Sequence, residues 1–259
     1  MNICICIVCA NLNEFRNNAI ARLGGLAMFT IALIGVDGAG KTTIAKMLIK
    51  SLPIRVKYLY MGTNVRMNKY ALPTSRFIFW LKYRLVRKKY KHMQQQENTS
   101  KLDLEHRPDK RGKLGAALRL LNRIAEDWHK QFVSWSFQLF KYNILYDRHP
   151  VFDFAPSGVA KRATDRIHYW ELRHIYPKPD LVFFLDAPPE VLLNRKDEGT
   201  LEYLERRRKA ILRQRGNFKH FIRIDVTQNI DNVHKEVKHH IIGFINEEVM
   251  HKTQNLKGQ

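Results

Sequence analysis

Apolar runs rich in β-branched and aromatic residues recur along the chain, and each ends on a polar or charged position. Phe29-Thr-Ile-Ala-Leu-Ile-Gly-Val36, Ile54-Arg-Val-Lys-Tyr-Leu-Tyr60, Tyr142-Asn-Ile-Leu-Tyr-Asp147, Pro179-Asp-Leu-Val-Phe-Phe-Leu-Asp186 and His220-Phe-Ile-Arg-Ile-Asp-Val226 each read as a buried strand. Stretches with helical spacing separate them, beginning with Ile44-Ala-Lys-Met-Leu-Ile-Lys50. Strands that alternate with helices predict an α/β fold with a parallel five-stranded sheet flanked by helices. Ligands of such sheets bind outside the carboxyl ends of the strands. Lys41, Asp147, Arg148 and Asp186 are therefore expected to gather at one edge.

No such period appears in residues 1–28, which read as a non-core N-terminal extension, with Met28 as the expected natural start of the protein. The apolar stretch Ile3-Cys-Ile-Cys-Ile-Val-Cys-Ala10 is too short to span a bilayer and lacks the basic start of a signal peptide. All three cysteines, Cys4, Cys6 and Cys9, lie within it. No disulfide framework can be built from them, and no fourth ligand stands near for zinc. That usage fits a reducing cytosol, so the expected location is cytoplasmic.

The first strand runs into Gly35-Val-Asp-Gly-Ala-Gly-Lys-Thr42, followed by Thr43 and a helix. This matches G-x-x-x-x-G-K-[ST] at every position and sits in the strand–loop–helix context that a phosphate loop requires. Gly35, Gly38 and Gly40 let backbone N–H groups of Val36, Asp37 and Ala39 turn toward phosphate oxygens without a Cβ in the way. Lys41 places an ammonium near the β- and γ-phosphates, Thr42 offers a hydroxyl to Mg²⁺, and the helix start adds its dipole. At the end of the third strand, Asp147 can hold Mg²⁺ or its water, and Arg148 can grip a phosphate bidentately.

With these pieces in place the chain resembles the thymidylate kinase family of P-loop nucleoside monophosphate kinases. Four blocks carry the resemblance: Ile34-Gly-Val-Asp-Gly-Ala-Gly-Lys-Thr-Thr43; Tyr146-Asp-Arg-His149; Pro179-Asp-Leu-Val-Phe-Phe-Leu-Asp-Ala-Pro-Pro-Glu190 with Arg195; and Ile224-Asp-Val-Thr-Gln228. The acidic residue inside the loop, Asp37, is more telling than the loop itself. The resemblance implies a three-layer P-loop kinase over residues 29–250, with a basic helical insertion at 66–113, a lid at 195–208 and a tail at 251–259. It further implies that Gly35 to Thr43 hold ATP, that Thr42 and Asp147 serve Mg²⁺, and that Asp37 contacts the acceptor or the metal region. Arg148 would hold the acceptor phosphate, and Arg195 would act from the lid with Arg206, Arg207 and Arg208 as weaker candidates. Val226 to Gln228 stand where the family wraps adenine. The family commonly forms homodimers through its helices.

Two departures bear on the acceptor. Where thymidylate kinases carry an Arg-Glu-Pro segment after the second strand, this chain reads Tyr60-Met-Gly-Thr-Asn64. In the stretch before Asp147, Arg123 is the candidate for an acceptor arginine. Trp128, Phe132 and Trp135 fall at helical spacing and read as core before they read as a base-stacking surface.

Charge changes the picture last. The 259 residues hold 45 Lys+Arg against 24 Asp+Glu, a formal net charge of +21. Such an excess points to anionic partners. Residues 66–113 contain 14 Lys+Arg and four acids, so 14 − 4 = +10 of that charge lies in the insertion. Within it, Phe77, Trp80, Leu81 and Leu85 share one helical side, and cations surround them. The plain reading packs that side on the core; the sharper one lays it on an anionic membrane or on nucleic acid, at the membrane as a peripheral protein. Gln94 to Lys113 reads as a polar loop.

Three functional readings follow. The first is an ATP- and Mg²⁺-dependent kinase acting on a (deoxy)nucleoside monophosphate, dTMP first among them. The second is a P-loop phosphotransferase with a non-nucleotide acceptor, at a membrane. The third is a non-catalytic nucleic-acid-binding protein, favoured by charge alone.

Overall fold

The five apolar runs form strands β1 (Thr30–Gly35), β2 (Val56–Tyr60), β3 (Asn143–Asp147), β4 (Leu181–Asp186) and β5 (Phe221–Asp225). Each begins and ends within two residues of its sequence expectation. These are the strands of a computed structural model, which describes residues 28–62, 64, 68–77, 80, 81, 84, 112–153, 163–196 and 200–257. All pairings are parallel, in the order β2-β3-β1-β4-β5. β3 and β4 are buried along their whole length, as strands covered on both faces must be.

Register shows what covers each face. Ala32 pairs with Tyr146 and its neighbour Leu33 with Phe183, so Tyr146 and Phe183 point to opposite sides of the sheet. On Tyr146's side lies α2 (Lys113–Leu139), whose Ser134 Oγ is 2.6 Å from the tyrosine hydroxyl. On Phe183's side lies α7 (Ile230–Lys257), whose His240 ring stands 6.3 Å from that of Phe183. The helix after the glycine loop, α1 (Lys41–Ser51), shares α7's face, since Ser51 Oγ and His234 Nε2 are 2.7 Å apart. The remaining helices are α3 (Pro150–Asp153), α4 (Ala163–His174), α5 (Pro189–Lys196) and α6 (Leu201–Leu212). Between the layers, Ile31, Leu33, Ile144, Leu145, Phe183 and Phe184 are wholly enclosed and form the centre of the core.

The last helix, α7, runs through Lys257 and takes in residues 251–257 of the segment expected as a tail. One sequence expectation needs correction. The aromatic side of the insertion helix does not pack on the core: residues 73–77, 80, 81 and 84 are helical, yet Phe77, Trp80 and Leu81 are exposed. Its start docks on α2 through polar groups instead. Asn122 Nδ2 donates to Ser75 Oγ at 3.3 Å, and the Leu72 N–H donates to Glu126 Oε2 at 3.0 Å. Residues 1–27, residues 85–111 of the insertion and residues 197–199 of the expected lid lie outside the described residues. Among the described residues, no helix is long and apolar enough to cross a membrane.

Candidate phosphate-handling site

The glycine loop turns where side chains would obstruct it. A Cβ on Gly35 would sit 2.6 Å from the Leu185 carbonyl oxygen, so β1 can approach β4 this closely only with glycine. Gly38 and Gly40 hold φ of 88° and 79°, the left-handed region that glycine enters without strain. Gly40 caps α1, and neither a side-chain cap nor an acidic residue occupies the helix's first turn. The positive end of the helix therefore has no carboxylate of its own beside it.

Lys41 is 6 % exposed and folds back on the loop, donating to the Gly35 carbonyl at 2.9 Å and the Val36 carbonyl at 2.8 Å. Burial, with the charge of Arg148 adding to it, lowers the ammonium's pKa to about 8, against the pull of Asp37, Asp153 and Asp147. Beside it, Thr42 Oγ1 donates to Asp147 Oδ2 at 2.6 Å, and the Tyr58 hydroxyl donates to the same oxygen at 2.7 Å. Burial and this bond push the Tyr58 hydroxyl well above its ordinary range. Asp147 Oδ1 is buried with no hydrogen-bond partner. A buried carboxylate with one oxygen unpartnered and the other bonded to a threonine hydroxyl is a donor set that suits a hard divalent cation. Among the described residues no three His, Cys, Asp or Glu side chains cluster to hold a metal by themselves. Thr42 and Asp147 would supply part of the shell of such a cation, and phosphate oxygens and water the rest.

Arg148 follows β3 with φ of 71°, a left-handed conformation rare for a residue with a side chain, and its N–H donates to the Leu33 carbonyl at 3.1 Å. Its guanidinium meets Asp37 Oδ1 at 2.5 Å and Asp153 Oδ1 at 3.7 Å. Burial works against the charge, but Asp153 and Asp37 raise the guanidinium above its ordinary value. Asp37, Lys41, Thr42, Asp147 and Arg148 thus stand together at the carboxyl edge of β1 and β3.

Asp186 and Arg195 are placed differently. Asp186 ends β4 at the same sheet edge, but Arg208 grips both of its oxygens at 2.7 and 2.9 Å and Arg223 donates to Oδ2 at 2.6 Å. Arg195 donates to the Val226 carbonyl at 2.8 Å, which ties α5 to the segment after β5. Arg207, a weaker candidate in the sequence, reaches the site through Asp153, donating to its carbonyl at 2.9 Å and to Oδ1 at 3.2 Å. Asp153 therefore bridges Arg148 and Arg207.

Sequence reasoning also missed Tyr58 and Lys130. Arg123, the candidate acceptor arginine, instead pairs with Asp165 at 3.3 Å on an exposed surface. Lys130, buried on the inner side of α2, donates to the Gly62 carbonyl at 3.2 Å, inside the segment that replaces Arg-Glu-Pro. A side chain at Gly62 would collide with Tyr60 and with Arg148. The only signal for Lys130 in the sequence was its place one turn from Glu126 and Asp127, each 3.7 Å from its ammonium. Trp128 is half-buried against Tyr176, while Phe132 is exposed, so the aromatic stripe is only partly core.

No protein-family model matches the chain, and no curated protein is significantly similar to it. The reading of its activity rests on the site itself.

Proposed function

We propose that the protein is a P-loop phosphotransferase that moves the γ-phosphoryl group of ATP to a phosphorylated small-molecule acceptor, with (deoxy)nucleoside monophosphates, dTMP first, as the acceptor class. One observation carries this reading: an ammonium, a hydroxyl, a buried carboxylate with an unpartnered oxygen and a guanidinium converge beside a helix start that has no side-chain cap. Mg²⁺, when bound, would neutralise phosphate charge and orient the transferring group.

The chain's own groups do the rest. Lys41 exchanges its two carbonyl partners for phosphate oxygens, which gain far more from a charged donor than a loop carbonyl does. The loop amides and the α1 terminus hold the β-phosphate, and Thr42 with Asp147 fixes the cation side. Arg148 leaves Asp37 for the acceptor phosphate, so that an acceptor oxygen lies in line with the γ-phosphorus. Positioning and charge neutralisation supply the catalysis, and no covalent intermediate on the protein is required.

The test is an acceptor screen with ATP and Mg²⁺, run alongside direct ATP binding. Lys41→Ala should lower kcat by about a hundredfold or more, and Arg148→Ala should act mainly on the acceptor KM. A chain that binds no ATP would sink the phosphotransferase reading. ATP binding without turnover of any nucleoside monophosphate would instead favour a non-nucleotide acceptor. That second reading draws support from the Tyr60-Met-Gly-Thr-Asn64 segment, which carries no arginine and whose Gly62 carbonyl is bonded to Lys130.

A further inference from the structure

We infer that Tyr58 is a positioning residue: its hydroxyl fixes the Asp147 carboxylate so that Oδ1 is the oxygen that serves the divalent cation or its water. This inference rests on the phosphotransferase reading and adds to it the group that orients a metal ligand. Two donors meet the carboxylate, Thr42 Oγ1 at 2.6 Å and the Tyr58 hydroxyl at 2.7 Å, and both bond to Oδ2. Oδ1 is buried and has no hydrogen-bond partner among the described residues. If satisfying the carboxylate were the whole role of these donors, one would serve each oxygen, because a buried acceptor left unpaired is costly. Instead one oxygen is pinned from two sides and the other is kept for something the chain does not supply.

The sheet explains how a residue of β2 comes to do this. Tyr58 lies beside Leu145 and Tyr60 beside Asp147, and alternate residues of a strand point to one side. Tyr58 and Asp147 therefore share the face opposite Tyr146, which is the face that carries α1 and Thr42. The Tyr58 ring packs against the core, and its hydroxyl meets the carboxylate at the strand end. Burial and the bond to Asp147 hold the phenol well above its ordinary range, so it remains a donor at neutral pH. Thr42 gives its proton to the same oxygen, which leaves its lone pairs for a cation. Mg²⁺ demands near-octahedral oxygen ligands, so a carboxylate held in one rotation binds it better than one free to turn. Groups that orient a metal ligand in this way matter to affinity nearly as much as the ligand itself.

The test measures ATP affinity of the full chain by calorimetry, once in excess Mg²⁺ and once in EDTA. The ratio of the two dissociation constants is the gain that the cation brings on this protein. Wild-type protein is expected to bind the Mg²⁺ complex more tightly than free ATP. Tyr58→Phe, which keeps the ring and its packing, should lose most of that gain and leave the affinity in EDTA unchanged. In turnover with the acceptor, the same variant should need about tenfold more Mg²⁺ for half-saturation. A gain that survives in Tyr58→Phe, or an equal loss with and without the metal, would overturn the inference, since a residue that only supports the loop weakens both. So would a wild-type affinity that Mg²⁺ does not change, and in that case ATP binding itself still stands. No ATP binding in either medium would remove the phosphotransferase reading together with this one.

Discussion

Lys41 shows what a single buried charge does to the folded state. Its ammonium is enclosed, and two loop carbonyls are its hydrogen-bond partners. A buried charge held by neutral acceptors costs stability, which is why its pKa falls to about 8 from 10.5. The unfolded chain keeps this proton up to about pH 10.5 while the folded chain releases it near 8. The folded state is thus penalised below pH 8 and recovers stability as pH rises from 8 to 10.5. Phosphate binding runs the other way, since only the protonated form attracts the anion. Calorimetric titration with ATP should give an affinity that is flat below about pH 8 and weakens above it, and Lys41→Met should remove the dependence. At this scale much of the site was legible, because Asp37, Lys41, Thr42, Asp147 and Arg148 all fall in short motifs at strand ends. Tyr58, Asp153 and Lys130 were not, because each reaches the site from an element whose placement depends on tertiary packing.

At the scale of elements, the close approach of β1 to β4 fixes where the glycine loop begins. Gly35→Ala would force a Cβ against the Leu185 carbonyl and, at 3.2 Å, against the Ala39 side chain. The strand ends must part, at a cost of about 1–3 kcal/mol. Urea unfolding should show that loss, and ATP affinity should fall with it because the displaced strand end carries the loop. The strands were readable since a parallel strand buried on both faces is a continuous apolar run. Helix α2 was less so. Trp128, Phe132 and Trp135 continue the spacing of Leu114, Leu118 and Leu121, and a stripe of that kind reports a shared side without reporting what covers it. In the folded protein Trp128 packs toward Tyr176, while the leucines face outward.

Across the whole molecule, one buried group stands out for its effect on stability: His149, whose ring lies among those of Tyr146, Phe152 and Tyr176. Burial pushes its pKa down to about 3, opposed only by the Pro177 carbonyl. The unfolded chain takes up this proton near pH 6.5 and the folded chain does not, so stability is complete above pH 6.5 and falls as the solution is acidified toward 3. The slope from this group is at most about 1.4 kcal/mol per pH unit. Urea midpoints measured across that window should drop less steeply in His149→Phe. The sheet order has a consequence for how the chain is made. β1 and β2 emerge first, but β2 pairs only with β3, and β1 pairs only with β3 and β4. Two of the bonds that seat the start of β1 close loops of 114 and 150 residues, from Phe29 to Asn143 and from Thr30 to Asp180. Until Asn143 has left the ribosome none of the described strands has its native partner, so the glycine loop is synthesised early and shaped late, and β1 stays open to wrong partners throughout that interval.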